Sequence, residues 1–433
     1  MESAELAEWV RDARQRTIDL VADLDDEQLV GPYLPIINPM LWEIGHVAWF
    51  QEKWVLRHVC ERKPIREDAD ANWDSIAIPH TTRWDLPLPS RDETIAYLSD
   101  VRDSVLESLQ NDALREKMSY FVRYTTHHED MHNEAFTYTR QTLGYPPPRF
   151  TDADELRAPI TPTPLTTDDA EVPGGVFFLG ASQNEPFVFD NEKWAHSVEI
   201  EPFAIGRTPV TQAEFLGFVE EGGYRRSEFW TREGWKWRES VNAEHPVYWK
   251  KSGDKGWIRR HFDRWCALES NLPVIHVNWH EAMAYCRWAG RRLPTEAEWE
   301  FAAAMGPESS ENMMPSEKRR FPWGDADPSL ERVNMDWQNL GCIDVGALPD
   351  SDSAVGCRQM IGNVWEWTIS AFQPYPGFER DAYEEYSEPW FGTRKVLRGG
   401  CWSTRSRMLR NTWRNFYTPD RRDVLAGLRT CAL

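Results

Sequence analysis

The sequence has no long apolar run, no closely paired cysteines and no block of basic residues. Although 41% of its 433 residues are hydrophobic, no stretch approaches the roughly 18 consecutive apolar residues that cross a membrane. The first residues, MESAELAEWVRDARQ, are charged and amphipathic, and they lack the basic start and apolar run of a signal peptide. We therefore expect a cytoplasmic protein that has no membrane partner.

The seven cysteines are scattered along the chain, and no two of them form a C-x-x-C pair. An odd, dispersed set of this kind predicts reduced thiols rather than a disulfide framework. The set consists of Cys60, Cys266, Cys286, Cys342, Cys357, Cys401 and Cys431.

Basic residues are in deficit, because 49 Lys and Arg face 70 Asp and Glu and the formal net charge is −21. Proteins that bind nucleic acid neutralise phosphates with clustered Lys and Arg, so this balance predicts no nucleic-acid partner. We expect the partners to be small molecules and the protein to be a monomer.

The N-terminal third of the chain has the apolar periodicity of amphipathic helices. A first helix is indicated by the spacing of seven apolar residues. A second helix is predicted to begin with Asn38 as its N-cap and Pro39 in its first turn, and to continue through MLWEIGHVAWFQEKWVLRHV. The apolar residues of the first helix are Leu6, Trp9, Val10, Ala13, Leu20, Val21 and Leu24.

Two further helices follow in the same third of the chain. Ser90 and Glu93 have the spacing of a capping box and predict the start of a third helix. A fourth helix is predicted over residues 115–143, and Gly144 followed by three prolines ends it. Four helices, each with one apolar stripe, predict a four-helix bundle.

The remainder of the chain has a different character. Residues 147–172 are rich in Pro, Thr and Asp and predict a surface linker. Beyond them, short strand-like and helical segments alternate with loops rich in Trp, Gly and Asp, which indicates an α+β domain over 173–433. The strands are predicted within 174–182, 196–211, 394–402 and 426–433, and the helices within 211–223, 278–290 and 295–304.

The segment TTHHEDMHNE contains an H-E-x-x-H pattern, formed by His128, Glu129 and His132. Two histidines four residues apart share one face of a helix, which predicts a metal site. A third ligand is expected from a facing helix. His46 is one candidate, and Glu43, one turn earlier, is the other and would complete a two-histidine, one-carboxylate site.

Six segments resemble a known family. NPMLWEIGHVAWFQEKW and HHEDMHNEAF resemble the DinB-like bundle of the ergothioneine sulfoxide synthases, and RRLPTEAEWEFAAA, FPWGD, GNVWEWTIS and VLRGGCW resemble their formylglycine-generating-type domain. The resemblance implies a DinB-like four-helix bundle over 1–146 and a C-type-lectin-like substrate-binding domain over 173–433. It also implies a nonheme Fe(II) enzyme that uses O2 to join a sulfur or selenium donor to C2 of the imidazole of hercynine, the trimethylated betaine of histidine.

The resemblance places the iron-binding histidines of the family on His46, His128 and His132. Three neutral imidazoles leave positions on the iron open for both substrates and O2. A carboxylate that accepts a hydrogen bond from one of the ligands is also expected. The candidates for that acceptor are Glu43, Glu129 and Glu134.

The segment WTISAFQPYPGF matches the catalytic tyrosine region of the family, with Phe372 and Tyr375 at its two aromatic positions. Tyr375 keeps a phenol that can orient substrate or donate a proton, whereas Phe372 cannot. If Phe372 replaces the proton-donating tyrosine, then Tyr375, Tyr417 or a water must donate instead. We predict Tyr375 and Tyr417 as catalytic residues, and Phe372 and Tyr375 as contacts to substrate.

The segment RNFYTPDRR matches the substrate-binding stretch of the family near the C-terminus. There the resemblance implies that Asn415 hydrogen-bonds hercynine. Phe416 and Tyr417 would offer ring faces to its trimethylammonium group, and Arg421 would pair with an anionic oxygen of the donor.

Three departures from the family concern the two substrates. Tyr417 stands where synthases that use γ-glutamylcysteine carry an Asp, and His80 and Arg83 stand where two arginines often bind its carboxylates. Met131 replaces a glutamine that touches hercynine. His80, Arg83 and Met131 are therefore predicted to contact the substrates, and the lost charges favour a donor other than γ-glutamylcysteine.

HEDMHNEAF, TRQTLGYPPPR and HTTRWDLPLP most resemble the selenoneine synthase branch, whose donor is a selenosugar. The sequence-based prediction is thus C–Se bond formation with hercynine. The alternative is a hercynine sulfoxide synthase that uses cysteine or γ-glutamylcysteine.

Three distant alternatives are a zinc peptidase, a copper-dependent formylglycine-generating enzyme and a non-catalytic binding module. A peptidase would use Glu129 as its base and needs a further downstream ligand that the sequence does not offer. A formylglycine-generating enzyme needs paired cysteines, whereas Cys401 and Cys431 lie thirty residues apart. The three histidines argue against a module without catalytic activity.

Overall fold

The chain folds into two units, Met1–Leu156 and Arg157–Leu433. The computed structural model describes residues 3–150, 168–253, 256–306 and 318–433. Residues 151–167, which make up most of the predicted linker, lie outside this range, so that part of the linker stays a prediction.

The last four residues of the predicted linker form a strand, β1 (Asp169–Val172), and the linker prediction is wrong there. Ala170 and Val172 are buried on one side of this strand, whereas the acidic Asp169 and Glu171, which alternate with them, are more exposed. This alternation is the two-residue period of a half-buried strand, and it was hidden by the Thr- and Asp-rich composition around it.

The first unit is built from helices. The four longest, α1, α3, α5 and α6, pack on one another, and the predicted DinB-like four-helix bundle is confirmed. From α3 the chain continues as a π-helix over Glu52–Val59. The α-helices of this unit are α1 (Ser3–Asp19), α2 (Asp26–Val30), α3 (Met40–Gln51), α4 (Ala69–Trp73), α5 (Arg91–Ser108) and α6 (Arg115–Leu143).

Two helix ends of the bundle follow the sequence signals. The Ser90 side chain accepts from the Glu93 backbone N–H and the Glu93 carboxylate accepts from the Ser90 N–H, so the predicted capping box begins α5. Gly144 ends α6 with φ of 70°, a left-handed conformation that glycine adopts without a Cβ clash.

The start of α3 differs from the prediction. Pro39 rather than Asn38 is the N-cap, and no side chain caps this end. The Asn38 side-chain oxygen instead accepts a hydrogen bond of 2.6 Å from the Arg83 guanidinium. A charged donor forms a stronger hydrogen bond to an amide oxygen than a backbone N–H does. The Asn38 side chain therefore binds Arg83 and does not cap α3.

The second unit combines short helices with small sheets, and the predicted C-type-lectin-like class of its fold is confirmed. Its α-helices are α7 (Gln212–Glu220), α8 (Arg232–Ser240), α9 (Trp279–Trp288) and α10 (Glu296–Ala304). Its remaining strands are β2 (Gly175–Leu179), β3 (His196–Ile200), β4 (Phe203–Gly206), β5 (Trp249–Lys251), β6 (Trp257–His261), β7 (Arg264–Ala267), β8 (Trp365–Ala371), β9 (Lys395–Arg398), β10 (Asn415–Tyr417) and β11 (Ala426–Leu428).

The strands of the second unit pair in four sheets within the described residues. Two of them are antiparallel pairs, β1 with β4 and β2 with β3, and a third has the order β5-β6-β7. The fourth has the order β10-β9-β8-β11, in which β8 and β11 are parallel and the other neighbours antiparallel. Strand β10 therefore forms an edge of the four-stranded sheet and carries the predicted substrate-binding stretch.

The sequence did not predict β8 as a strand, and buried charges explain why. Glu366 and Arg429 are fully buried, and their side chains pair at 2.9 Å. Trp299 also donates its indole N–H to Glu366 at 2.7 Å. A strand that is buried on both faces is normally a continuous run of apolar residues in the sequence. In β8 the buried carboxylate of Glu366 interrupts that run, and the arginine that pairs with it is distant in sequence.

Within the described residues, no helix combines the length and the apolar character that crossing a bilayer would require.

Candidate active site

Three histidines of the first unit converge on one point. His46 comes from α3, and His128 and His132 come from adjacent turns of α6. One nitrogen of each ring lies within 4.8 Å of the others, and the two Nε2 atoms of His128 and His132 are 3.2 Å apart. Among the described residues, this is the one group of three metal-ligating side chains so arranged. The structure thus brings together the three residues that were predicted as metal ligands.

Hydrogen bonds fix which nitrogen of His46 faces the cluster. Its Nδ1 lies 2.9 Å from the backbone carbonyl of Trp73, at the C-terminal end of α4. An N–H at Nδ1 therefore donates to this carbonyl and leaves the lone pair of Nε2 for a metal. The rings of Trp42 and Trp49 both stack on the His46 ring, at 4.8 Å and 10° and at 5.6 Å and 28° respectively.

Helix α4 also accepts hydrogen bonds from two tryptophans of α3. The indole N–H of Trp42 donates to the Asn72 carbonyl at 2.7 Å, and that of Trp49 donates to the Asp70 carboxylate at 2.7 Å. Gly45 permits this close approach, because a Cβ there would lie 2.2 Å from the Trp73 ring. The ring of His46 is consequently held by stacking and by a hydrogen bond.

Glu43 contacts His132 rather than the centre of the cluster. Its carboxylate lies 2.5 Å from Nδ1 of His132 and is almost fully buried. This arrangement makes Glu43 the acceptor that orients a ligand, and the alternative in which Glu43 is itself the third ligand does not fit the structure. With Nδ1–H donated to Glu43, His132 presents its Nε2 lone pair towards His128.

The third histidine is held by packing. The His128 ring stacks on Phe50 with centroids 3.7 Å apart and 13° between the planes. Its Nδ1 is buried and has no hydrogen-bond partner among the described residues. Ring stacking sets its orientation, and its Nε2 faces His132.

The charge state of the cluster suits a metal cation. Burial, together with the neighbouring His132, lowers the pKa of His46 well below its usual value, and the charges of Arg83 and Lys53 act in the same direction. Burial and the two other histidines likewise lower the pKa of His128. A lowered pKa favours the neutral imidazole at His46 and His128, which is the form that binds a divalent transition metal.

Glu129, the carboxylate of the H-E-x-x-H pattern, belongs to a different network. It accepts from the Arg14 guanidinium at 2.8 and 3.1 Å and from the Thr17 hydroxyl at 2.8 Å. The side chains of Arg14 and Glu129 are 0% and 1% exposed. Glu129 therefore faces α1 and joins two helices of the bundle, and the peptidase alternative loses its general base.

The remaining predicted contacts of the first unit are engaged with the protein itself. His80 Nε2 lies 2.6 Å from the Ile37 carbonyl. The Arg83 guanidinium donates to Asn38 and stacks over the Trp42 ring at 3.9 Å. Met131 is half-buried on α6, one residue before His132. That these three residues bind substrate stays a prediction.

In the second unit, Phe372 and Tyr375 are both buried. The Tyr375 hydroxyl donates to Glu296 at 3.3 Å and accepts from Arg398 at 3.2 Å, and the Arg414 guanidinium lies 4.1 Å from its ring centre. Burial raises the pKa of Tyr375. Its phenol is thus part of an internal ionic cluster, a position that favours a structural role over the predicted catalytic one.

The predicted substrate-binding residues on β10 lie on two faces of that strand. Phe416 stacks on the buried Phe372 with centroids 4.0 Å apart. Asn415 and Tyr417 are half-buried and, as neighbours of Phe416 in the strand, point to the opposite face. That Phe416 and Tyr417 offer ring faces to the trimethylammonium group of hercynine stays a prediction. Arg421 stacks over the Tyr417 ring at 5.2 Å.

Arg421 is also paired within the second unit. Its guanidinium makes two hydrogen bonds to the Asp423 carboxylate, at 2.7 and 2.6 Å. A donor's anionic oxygen would have to compete with this carboxylate. The predicted contact of Arg421 with the donor is therefore left as a prediction.

The structure adds one phenol that the sequence did not single out. The Tyr386 ring stacks on Phe189 and lies 6.0 Å from the Phe416 ring. Burial, together with the charges of Asp190 and Glu192, raises the pKa of Tyr386 well above its usual value. The tyrosine pair in YEEYSEP is a signal that could have directed attention to it.

Comparison with known proteins assigns both units. Residues 10–136 match the DinB superfamily, and residues 158–432 match the sulfatase-modifying factor enzyme 1-like domain. This combination defines a class of two-domain proteins with a helical bundle followed by a formylglycine-generating-type domain.

Full-length relatives then identify the family. The hercynine oxygenase of Mycolicibacterium thermoresistibile is 37% identical over 98% of this chain and 94% of its own length. That of Mycobacterium tuberculosis is 36% identical over 96% of both chains. This chain therefore belongs to the hercynine oxygenase family and is an enzyme of that oxygen-dependent class.

Among solved structures, PvdO from Pseudomonas aeruginosa matches 63% of this chain and 98% of its own, at 20% identity and a TM-score of 0.42.

Proposed function

We propose that this chain is an Fe(II)- and O2-dependent enzyme that joins a thiol to C2 of the hercynine imidazole. The observation that carries the proposal is the convergence of His46, His128 and His132 in a chain 37% identical, over 98% of its length, to a hercynine oxygenase. The reaction balances as hercynine plus thiol plus O2 giving the sulfoxide plus water. The C2–H and S–H hydrogens leave in the water, and each product takes one oxygen atom.

The three histidines would hold the iron through the nitrogens that converge. Bound Fe(II) would supply the one-electron chemistry that activation of O2 requires. The protein contributes an arrangement that exists before substrate arrives, since Glu43 and the Trp73 carbonyl orient two of the rings. His46 and His128 are buried while His132 is partly exposed, so the open side of the cluster lies at His132.

For the second unit we propose contacts from one face of β10. Asn415 and Tyr417 share that face, and both are half-buried, so part of each side chain is exposed. An amide and a phenol can hydrogen-bond the carboxylate or imidazole of hercynine. Tyr417, on the same face of β10 as Asn415, is the phenol proposed to hold or deliver a proton.

The similarity to hercynine oxygenases supports a thiol donor, such as cysteine or γ-glutamylcysteine, over the selenosugar that the sequence first suggested. One observation keeps a selenol donor as the second candidate. Arg83 donates to Asn38 and to the Ser75 and Ile78 carbonyls, so a donor's carboxylate would have to displace those acceptors.

The donor can be tested with the full-length protein. The protein is loaded anaerobically with Fe(II), and hercynine and O2 are supplied with cysteine, γ-glutamylcysteine or a selenosugar in parallel. Mass spectrometry is expected to detect a product whose mass is that of hercynine plus thiol plus O2 less water. Turnover with the selenosugar alone would favour the second candidate, and hercynine left unchanged with every donor would contradict the proposed function.

A further inference from the structure

A chain of contacts leads from the ligand His46 to a buried phenol of α5. The Nδ1–H of His46 donates to the Trp73 carbonyl at 2.9 Å, and the Trp73 indole lies against Gly45, the residue before His46. Tyr97 stacks on this indole, with ring centroids 5.0 Å apart and 8° between the planes. Trp73 and Tyr97 are 0% and 2% exposed. The phenol is therefore connected to a metal ligand through one hydrogen bond and one pair of stacked rings.

The phenol of Tyr97 has a base in hydrogen-bond contact. Its hydroxyl donates to the carboxylate of Glu52, the buried first residue of the π-helix. The other oxygen of Glu52 accepts from the Ile65 backbone N–H at 2.6 Å, so both oxygens accept, as those of an ionised carboxylate do. Burial, together with the charge of Glu52, raises the pKa of Tyr97. The phenol therefore keeps its proton at rest and has a group beside it that can take the proton.

The indoles around the same ligand lack a comparable base. Trp42 donates its N–H to a backbone carbonyl, and the buried N–H of Trp73 has no acceptor among the described residues. Trp49 donates to a carboxylate, that of Asp70. Hydrogen bonds from Arg57 lower the pKa of Asp70 to about 2, so this carboxylate is a poor proton acceptor.

This difference decides which side chain can give up an electron. A phenol becomes a very strong acid once it is oxidised, so its oxidation needs a base that takes the proton. A base already within hydrogen-bond distance can do so without rearrangement. Trp73 has no group to take its indole proton. Trp73 therefore suits the passage of an electron, and Tyr97 suits its donation.

We propose that Tyr97 and Glu52 form a redox-active pair that removes oxidising equivalents from the metal site when O2 reacts there without both substrates. Tyr97 gives one electron to the oxidised site through Trp73 and gives its phenolic proton to Glu52. The products are a neutral phenoxyl radical, a protonated carboxyl group and a metal site reduced by one electron. A thiolate in solution returns one electron, the proton moves back to the phenoxyl oxygen, and two oxidised thiols pair as a disulfide.

The pair protects the histidine ligands, because an oxidant that lacks a substrate otherwise attacks the nearest side chains. The inference rests on the proposed function, since Fe(II) and O2 supply the oxidant. It assigns Tyr97 and Glu52 no part in the coupling of hercynine to the thiol.

The test uses full-length protein that is loaded with Fe(II) and exposed to O2 without hercynine or thiol. Electron paramagnetic resonance of samples frozen during the reaction detects an organic radical, and ring-deuterated tyrosine in the protein shows whether the radical is on tyrosine. Mass spectrometry of peptides measures the oxygen added to the histidine ligands. Neither measurement depends on turnover.

Two variants remove the two halves of the pair. Tyr97→Phe removes the phenol and keeps a ring that can stack on Trp73. Glu52→Gln keeps the shape of the acceptor and removes the base, so it separates proton acceptance from packing. Glu52→Gln also decides the question if Tyr97→Phe does not fold.

Two tyrosines of the same unit provide matched controls. Tyr124 is buried, and its ring lies 5.8 Å from Phe50, which stacks on the ligand His128. Tyr124→Phe thus removes a second phenol at a similar number of contacts from a ligand. Tyr145→Phe removes a half-buried phenol that donates to the Gln28 carbonyl at 3.3 Å.

Wild type is expected to give a radical signal that changes when its tyrosines are deuterated. The signal should be lost in Tyr97→Phe and strongly reduced in Glu52→Gln, and it should persist in Tyr124→Phe and Tyr145→Phe. Oxygen added to the peptide that contains His46 should increase in the first two variants and stay at the wild-type level in the two controls.

The outcomes separate this inference from the proposed function. A wild type that converts hercynine with thiol but gives no tyrosyl signal would overturn the inference alone. The same holds if deuterated tyrosine leaves the signal unchanged, if the signal persists in Tyr97→Phe or Glu52→Gln, or if Tyr124→Phe abolishes it. Variants that lose only stability, with wild-type radical and histidine oxidation, would show a purely structural pair.

A wild-type protein that takes up no Fe(II), or that leaves hercynine unchanged with every donor, would overturn the proposed function and the inference with it.

Discussion

The two units differ in how the fold arranges the residues that were predicted to form a site. In the helical unit, His46, His128 and His132 come from two helices and converge on one point. In the second unit, Phe416 and Tyr417 are neighbours in sequence and lie on opposite faces of β10. A helix returns residues four apart to the same face, whereas a strand separates residues that are adjacent. Helical spacing therefore brings the predicted metal ligands together in the first unit, whereas strand alternation separates two neighbouring predicted contacts in the second.

The sharpest test of convergence in the first unit is the removal of one ligand. His128→Ala is expected to weaken iron binding by more than the roughly 10–100-fold that the loss of a residue hydrogen-bonded to a ligand costs. Turnover should fall with the iron content, measured by metal analysis after gel filtration. The control is His58→Ala, which changes an exposed histidine of the same unit. Full iron occupancy in His128→Ala would place the metal elsewhere.

The sequence predicted the bundle and its histidine cluster because both depend on helical periodicity. The Ser90–Glu93 capping box and Gly144 set two helix ends as expected. The sequence could not assign a role to Glu43, since a carboxylate one turn from His46 can either bind a metal or orient a metal ligand. Only the 2.5 Å contact with His132 Nδ1 separates those two roles.

Less could be predicted of the second unit, because its elements are short and its interior holds paired charges. The Glu366–Arg429 pair joins residues 63 apart in sequence, and no local pattern signals that such a carboxylate is buried. For the same reason Tyr375 looked like a free phenol, although Glu296 and Arg398 surround its hydroxyl. Long-range partners decide the role of these residues.

The H-E-x-x-H carboxylate offers the next test in the first unit. Glu129→Gln leaves the buried Arg14 charge without its partner, which is expected to cost about 3–5 kcal/mol in the free energy of unfolding. Urea unfolding measures this loss, and iron stoichiometry at low temperature should be retained. The control, Glu107→Gln, breaks an exposed pair with Arg62 and should cost at most about 1 kcal/mol. Unchanged stability in Glu129→Gln would argue against this role of Glu129.

Two carboxylates of the second unit give opposite pH responses. Burial raises the pKa of Asp190 from 3.8 to about 6. The bound proton therefore stabilises the fold fully below the unfolded pKa, and this contribution is lost as the pH rises through about 6. Asp190→Asn is expected to be more stable than wild type at pH 7, by on the order of 3 kcal/mol, and the gain should vanish near pH 4.

Glu192, two residues further on, is the matched control for Asp190. Burial alone would raise the pKa of Glu192, but the paired Arg410 outweighs it and lowers that pKa. Its stabilising contribution is present above the unfolded pKa and is lost as the pH falls through the folded one. Glu192→Gln should therefore destabilise the protein at pH 7. Urea unfolding of both variants at pH 7 and pH 4 measures these effects. If Asp190→Asn and Glu192→Gln changed the free energy of unfolding at pH 7 in the same direction, the predicted contrast would be refuted.

Loss of the carboxylate that orients His132 is expected to have a smaller effect on iron affinity than loss of a ligand. Glu43→Gln removes the acceptor charge while keeping the shape of the side chain, and iron affinity is expected to fall roughly 10–100-fold. Competition with a chelator measures this affinity. Glu116→Gln, at an exposed position in the first turn of α6, should bind iron like wild type. Equal affinities in the two variants would show that packing alone holds the His132 ring.

The smallest expected effect is that of Tyr375→Phe on stability and kcat. It tests whether Tyr375, a predicted site residue of the second unit, is structural or catalytic. Tyr375→Phe removes hydrogen bonds with Glu296 and Arg398 but keeps the ring beneath Arg414. Because the ionic cluster retains its other bonds, we expect a loss of about 0.5–1.5 kcal/mol in stability and a nearly unchanged kcat. A fall in kcat of roughly 100-fold or more, typical of a lost proton donor, would restore the catalytic role first predicted for Tyr375. The buried network would then belong to the active site, and the second unit would assemble its site residues as closely as the first.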